Sequence, residues 1–412
     1  MKVVVAVDEP RGGRIAAELA FEGVEVLASV AASDPGRAQD GMPGSGATAI
    51  LHALDETDVL VLDVTRESVS ASLVDACDRA GVRILTLGAD DEAVRIAEAF
   101  GLEMPLDIAI EPWRLAALLE RRPARPIARS AVAAPRTIAV WGAAGSPGRS
   151  TVAIELAVEL ARGGRHVALV DADSHAPSIA LSLGFADEGP GFAAACRQAE
   201  LGGLDARELT RISVPLGRTG VDVLTGLNRP SRWPELSESR VQGALTACRT
   251  WADYTVVDVA ASLERDEEIV SDLDGPRRNA ATIAALRSAD LVVAVAGADP
   301  VGVSRFLRAY PELRATIGAT PVHVVANRLR PGALGIDARG QVRRTLDRFG
   351  GIDQVWFLPQ DARSADAALL SAQAIGQVAA KSPLTHAMRR FVGEAIVVAP
   401  ASGREAKRRR AA

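Results

Sequence analysis

The chain has 412 residues, 48% hydrophobic and 24% charged, an ordinary globular mixture whose length predicts two or three domains. A net charge of −5 excludes a uniformly basic nucleic-acid coat, and only 4% aromatic residues means cores built from Ala, Val, Leu and Ile. Cys77, Cys196 and Cys248 are too widely spaced for a disulfide framework or a CxxC metal pattern, and they suit a reducing cytoplasm.

The opening MKVVVAVDEPRGG carries an apolar stretch too short for a signal peptide. No apolar run approaches the roughly 18 residues of a membrane span. A cytoplasmic protein is therefore expected. KVVVAVD reads as a buried strand, followed by the helix pattern RIAAELAFEG and then VEVLAS and DVLVLDV as further strands. Next come the helix SVSASLVDACDRAG, the strand VRILTLG, the helix DEAVRIAEAFG, the strand LDIAI and the helix EPWRLAALLE. Short apolar strands alternating with helices predict a parallel sheet covered on both faces, in a flavodoxin-like domain over 1–120. RRPARPIARSAVAAPR, 121–136, combines Pro, Arg and Ala without an apolar period and reads as a linker.

A second, larger α/β domain is expected over 137–399, with strands at RTIAVWG, HVALVDAD, VDVLTG, YTVVDVA, DLVVAVAGA and VHVVANR. In PLTHAMRRFVGEAIVV, Leu384, Met388, Phe391 and Val392 recur at helical spacing. That pattern suits either a membrane-facing amphipathic helix or, with so few basic residues, one that closes the core. The basic tail 400–412 is expected to be disordered.

The chemistry concentrates in TIAVWGAAGSPGRSTVAIELAVELARGG, an apolar strand running through a glycine loop into a helix. Backbone N–H groups at such a helix N-terminus point at an anion. Gly145 and Gly148 permit close approach of a phosphate, and Ser150 is placed to put its hydroxyl on Mg²⁺. Against the pattern GxxxxGK[ST], Ala143 holds the first glycine position and Arg149 the lysine position. Further strands end on Asp171 and Asp173 (LVDAD), on Asp258 (VVDVA) and on Asn327 (VVANR). Lys2, Lys381 and Lys407 are the only lysines, so none lies near the loop in sequence.

On AGSPGRS, DAD, VVDVA and NR, the second block resembles the ParA/MinD family of deviant Walker A P-loop ATPases. WGAAGSPGRST, LTGLNRPSRWPEL and DLDGPRRNAAT, with the receiver-like first block, resemble its CpaE/TadZ-like branch, associated with Flp/Tad pilus and secretion machinery. The resemblance implies ATP and Mg²⁺ as ligands. Gly145, Ser146, Pro147, Gly148, Arg149, Ser150 and Thr151 would cradle the phosphates, and Ser150 and Asp258 would hold the metal. Asp173 would activate water with Asp171 nearby, and Asn327 and Pro359 would contact the adenine. It further implies a nucleotide-dependent homodimer that positions a pilus or secretion assembly, with peripheral contact to the inner face of the membrane. The family's signature lysine position is Ala144 here, and Arg149 is a planar fork in place of a flexible point charge, which disfavours hydrolysis. Arg229, Arg277 and Arg278 are the candidate substitute cations. A catalytically inactive nucleotide-bound scaffold and a DNA-partition ATPase are the alternatives, the second opposed by the net negative charge.

Response-regulator receivers use an acidic pair, an Asp, a Thr or Ser and a Lys at successive strand ends. Asp8 and Glu9, Asp63 and Thr86 occupy the first four positions, but Glu111 stands where the lysine belongs. A carboxylate there repels an acyl phosphate, so a docking or dimerisation module is expected in place of a phosphorylated receiver.

Overall fold

The computed structural model describes residues 1–41, 47–119, 136–145, 147–186, 189, 191–265, 277–330 and 337–397. The linker expected at 121–136, all but its last residue, and the expected tail at 400–412 lie outside those residues, as does Ser146. Backbone packing divides the chain into two compact units, Met1–Val132 with Asp205–Arg211, and Ala133–Leu204 with Ile212–Ala412.

The first unit is a five-stranded sheet of β1 (Lys2–Ala6), β2 (Glu25–Val30), β3 (Val59–Asp63), β4 (Arg83–Gly88) and β5 (Leu106–Asp107). All pairs are parallel, in the order β2-β1-β3-β4-β5. Such an order follows from right-handed crossover helices laid on both faces. Alternate residues of one strand accordingly enter different cores. Val4 packs with Leu60, Leu62 and Leu73, while Val3 and Val5 pack with Leu19, Leu85 and Leu115. The expected strand LDIAI shrinks to Leu106–Asp107, because the chain turns at Asp107, whose carboxylate accepts the Ala109 N–H at 2.8 Å.

The second unit contains β6 (Arg136–Gly142), β7 (Val167–Asp171), β8 (Val214–Pro215), β9 (Val221–Leu224), β10 (Tyr254–Asp258), β11 (Leu291–Gly297), β12 (Val322–Leu329) and β13 (Val355–Pro359). Their order is β13-β12-β11-β6-β10-β7-β9-β8. Seven strands run parallel, and the two-residue β8 closes the edge antiparallel to β9. The sheet is thus mixed at one edge. Pro215 ends this strand, as befits a residue with no N–H to offer a ladder. Ile138 and Val140 of β6 face the helix Arg149–Ala161, through Val152, Leu156 and Leu160. Trp141 of the same strand packs near Phe306 of the helix Pro300–Ile317, ring centroids 6.2 Å apart. β6 is therefore central and covered on both sides, and its C-terminal end is where the glycine loop begins.

The helix Pro383–Phe391 resolves the question its pattern posed. Met388, Phe391 and Val392 are at most 4% exposed and join the core around β13 and the helix Arg149–Ala161. No helix among the described residues is long and apolar enough to cross a membrane.

Candidate nucleotide site

β6 hands the chain to Ala143–Gly148, and the helix Arg149–Ala161 starts directly after. Two backbone positions permit this. Gly145 and Gly148 have φ of +109° and +95°, left-handed conformations that cost a residue with a side chain about 1–2 kcal/mol. The second is also crowded, since a Cβ on Gly148 would lie 2.5 Å from Asn327 Nδ2. That amide donates to the Pro147 carbonyl at 2.8 Å, and Asn327 Oδ1 accepts the Arg328 N–H at 2.8 Å. Asn327 is thus buried as a brace between the end of β12 and the loop. Pro359 ends β13, in register with Leu329 of β12. Thr151 is exposed on the first turn of the loop helix.

Ser150 Oγ donates to Asp258 Oδ2 at 2.5 Å and accepts from Ser178 Oγ at 3.0 Å. Asp258 is 1% exposed, and its Oδ1 is a buried oxygen without a hydrogen-bond partner. An unpaired buried carboxylate oxygen is costly unless a cation or donor completes it. Burial and the charge of Asp171 hold Asp258 well above the ordinary carboxylate range, opposed by Ser150 and Arg149. A divalent cation here would reverse that balance, so the residues present fit Mg²⁺. Among the described residues no group of three His, Cys, Asp or Glu side chains is arranged to hold a metal by itself.

Asp171 and Asp173 do different work from each other. Asp171 accepts N–H bonds from Ser178 and Ile179 at 3.0 and 3.1 Å and from Asp173 at 3.2 Å. Burial nevertheless pushes it up to about 6, with Asp173 adding to the shift. Gly226 of LTGLN lies against it; a Cβ there would be 2.8 Å from Asp171 Cγ. Asp173 accepts the His175 and Ala176 N–H groups at 2.8 and 2.9 Å through Oδ1 and pairs with Arg149 Nη2 at 3.3 Å through Oδ2. Arg149 also donates to the Gly142 carbonyl at 3.2 Å. The cation at the lysine position is therefore turned onto an acid of its own sheet.

Of the three candidate substitute cations, Arg278 borders the loop after β7, where its carbonyl accepts the Ser174 hydroxyl at 3.1 Å. Arg278 donates to the Pro230 carbonyl at 3.0 Å and covers Trp233, 5.6 Å from its ring centroid. Arg277 is half-buried and Arg229 exposed in neighbouring loops. Arg305, which sequence reasoning passed over, lies against the loop, its Nη1 2.2 Å from where a Gly145 Cβ would stand. Nothing in its surroundings within the sequence marks it. It lies some 160 residues downstream, on a helix whose neighbours read as ordinary amphipathic pattern.

In the first unit, Asp8 Oδ1 accepts the Ala32 N–H at 2.9 Å and Glu9 caps Gly13 at 3.3 Å. Burial, then the charge of Asp8, holds Asp63 above its usual range. Thr86 is buried and donates to the Glu103 carbonyl at 2.8 Å, and Glu111 is exposed.

Residues 133–215, which span the loop, Asp171 and Asp173, match the ParA family model, described as NUBPL iron-transfer P-loop NTPase. No curated protein matches the chain. A ParA family ATPase from Chlorobium tepidum TLS aligns with a TM-score of 0.52 at 19% identity, over 63% of this chain and 97% of its own. The McdA(D38A)–ATP complex from Cyanothece aligns at 0.51 and 13%, over 66% of this chain and 100% of its own. The septum site-determining protein MinD from Pyrococcus horikoshii OT3, complexed with Mg-ADP, gives 0.49 and 16%, over 62% and 94%. The second unit has the P-loop fold of the ParA/MinD-type ATPases.

Proposed function

We propose that the chain binds ATP with Mg²⁺ at the loop Ala143–Gly148 and uses it to position a cellular assembly such as a Flp/Tad pilus or secretion apparatus. The observation that carries the nucleotide reading is the Ser150–Asp258 pair. Its buried, unpartnered oxygen lies beside glycines of positive φ at a helix N-terminus. Ser150 and Asp258 would hold the metal, which neutralises phosphate charge when bound. The backbone of Gly145, Pro147 and Gly148 would receive the phosphates. Asn327 keeps that backbone in shape from behind, and Pro359 lies on the strand beside it. The ATP named in the McdA complex belongs to that protein and supports the ligand class here. A nucleotide-dependent homodimer, a pilus or secretion partner and peripheral membrane contact remain the branch-level expectations of this reading.

Hydrolysis needs Asp173 to orient or accept a proton from water. Its carboxylate is engaged by Arg149 and two backbone N–H groups, so it must first release Arg149. That ion pair favours a second reading, in which bound nucleotide holds a scaffold without turnover. Calorimetric titration with ATP and ADP in Mg²⁺, with phosphate release followed beside an Asp173→Ala control, separates the two. Binding with Asp173-dependent release makes it an ATPase switch. Binding without release makes it a scaffold, and no binding overturns the nucleotide reading.

A further inference from the structure

The loop's own arginine is already committed. Arg149 is 16% exposed in its side chain, and its terminal nitrogens are spent on Gly142 and Asp173. Ala144 adds no charge. Only the Arg149 Nε is left without a partner, so a cation from outside the loop would add to the charge that meets a bound polyphosphate.

Arg305 lies on the second turn of the helix Pro300–Ile317, with its guanidinium directly against the bare Cα of Gly145. Among the described residues it makes no hydrogen bond or ion pair, and it is exposed. Its seat is rigid. A Cβ on Gly302 would come 2.6 Å from the Gly297 carbonyl oxygen, so the helix rests on the very end of β11. Asp299 caps it by accepting the Val301 and Gly302 N–H groups, both at 3.0 Å. Phe306, the next residue, is fully buried beside Trp141 of β6. Backbone and loop are thus fixed to the same strands, while the guanidinium is left to a ligand. Arg305, Arg328, Gly145 and Pro147 line a common cleft of about 90 Å³, room for a phosphate group but not for a nucleoside.

We propose that Arg305 contacts a phosphate of the bound nucleotide, supplying from within the same chain the positive charge that Arg149 does not. The inference rests on the reading of the loop as a nucleotide site. A planar, permanently charged fork suits phosphate oxygens, and arginines supplied in cis stabilise phosphoryl-transfer charge in some phosphate-loop enzymes.

The test is calorimetric titration of the full chain with ATP·Mg²⁺, for wild type, Arg305→Ala and Arg308→Ala, with melting temperatures taken without nucleotide. Arg308, exposed one turn further on, lines a different groove with Gln341 and Phe349. Arg305→Ala should weaken ATP binding about tenfold or more at an unchanged melting temperature, while Arg308→Ala stays within about twofold of wild type. Wild-type affinity in Arg305→Ala, or equal losses in both variants, overturns the assignment while leaving the nucleotide site standing. Failure of the wild type to bind ATP overturns both.

Discussion

Each unit gathers carboxylates at the C-terminal ends of a parallel sheet, yet only one surrounds them with the groups that make a site. In the first, Asp8 takes the Ala32 N–H after β2, Glu9 takes the Gly13 N–H, Asp63 stays half-buried, and Thr86 is turned onto the Glu103 carbonyl. In the second, Asp258 holds a serine at a helix N-terminus, Asp171 gathers three backbone N–H groups, and two left-handed glycines open the loop in front. The difference lies in the donors and not in the acids. A doubly wound sheet supplies strand-end carboxylates as a matter of course. An anion site also needs exposed N–H groups and a charge that is free to meet the ligand.

That contrast is most exposed to Asp258→Asn. The substitution should weaken ATP binding in Mg²⁺ by about a hundredfold, since it removes a buried charge facing the cation. It should raise the melting temperature without nucleotide, because Oδ1 has no partner to lose. A lower melting temperature with unaltered affinity would make the carboxylate a structural element, like its counterparts in the first unit. Gly148→Ala should cost about 1–2 kcal/mol from its positive φ, measured by urea unfolding. The displaced Asn327 should carry an accompanying loss of affinity.

Much of this was legible in the sequence. Apolar runs ending in Asp171 and Asp258 marked strand ends, whereas β12 runs two residues past the expected end at Asn327, to Leu329, and the glycine spacing marked the loop. The two-residue β8 was not legible, because it carries too little period to read, and the strand VWFLP of β13 also went unread. The direction taken by Arg149 was also hidden. Whether an arginine faces a ligand or an acid of its own sheet depends on strand order, which brings β7 two places from β6. Arg305 escaped for the same reason, since only the pairing of β11 with β6 sets its helix beside the loop.

A smaller effect sharpens the comparison through pH. Glu155, buried on the loop helix, is pushed up to about 7 by desolvation, against bonds from the Ile375 and Gly376 N–H groups at 2.6 and 2.8 Å. Its folded value lies above the unfolded one, so the native state holds the proton more tightly. Stability should fall by roughly 3 kcal/mol as pH rises from about 4.5 to 7, then level off. Glu155→Gln should flatten that window in urea titrations. The smallest change is expected from Asp63→Asn in the first unit. Burial also raises Asp63, so the wild type loses stability as pH climbs through its folded value, and the amide should remove that slope. Because Glu111 replaces the receiver lysine, an acyl-phosphate donor should leave no phosphate on the wild type, read by intact-mass spectrometry.

The same helix carries Glu159, whose carboxylate meets Arg389 at 3.2 Å, so both of its buried acids find partners more than 200 residues further along. During synthesis the nascent chain presents this helix long before those partners exist. Until Ile375 and Gly376 have been made, the Glu155 carboxylate would have to enter an apolar interior uncompensated, whereas Glu159 already meets Arg162 at 3.2 Å. The loop helix should therefore acquire its mature support only after Ile375 and Gly376 have emerged, and ribosome-stalled chains ending before Ile375 should show a protease-sensitive loop helix.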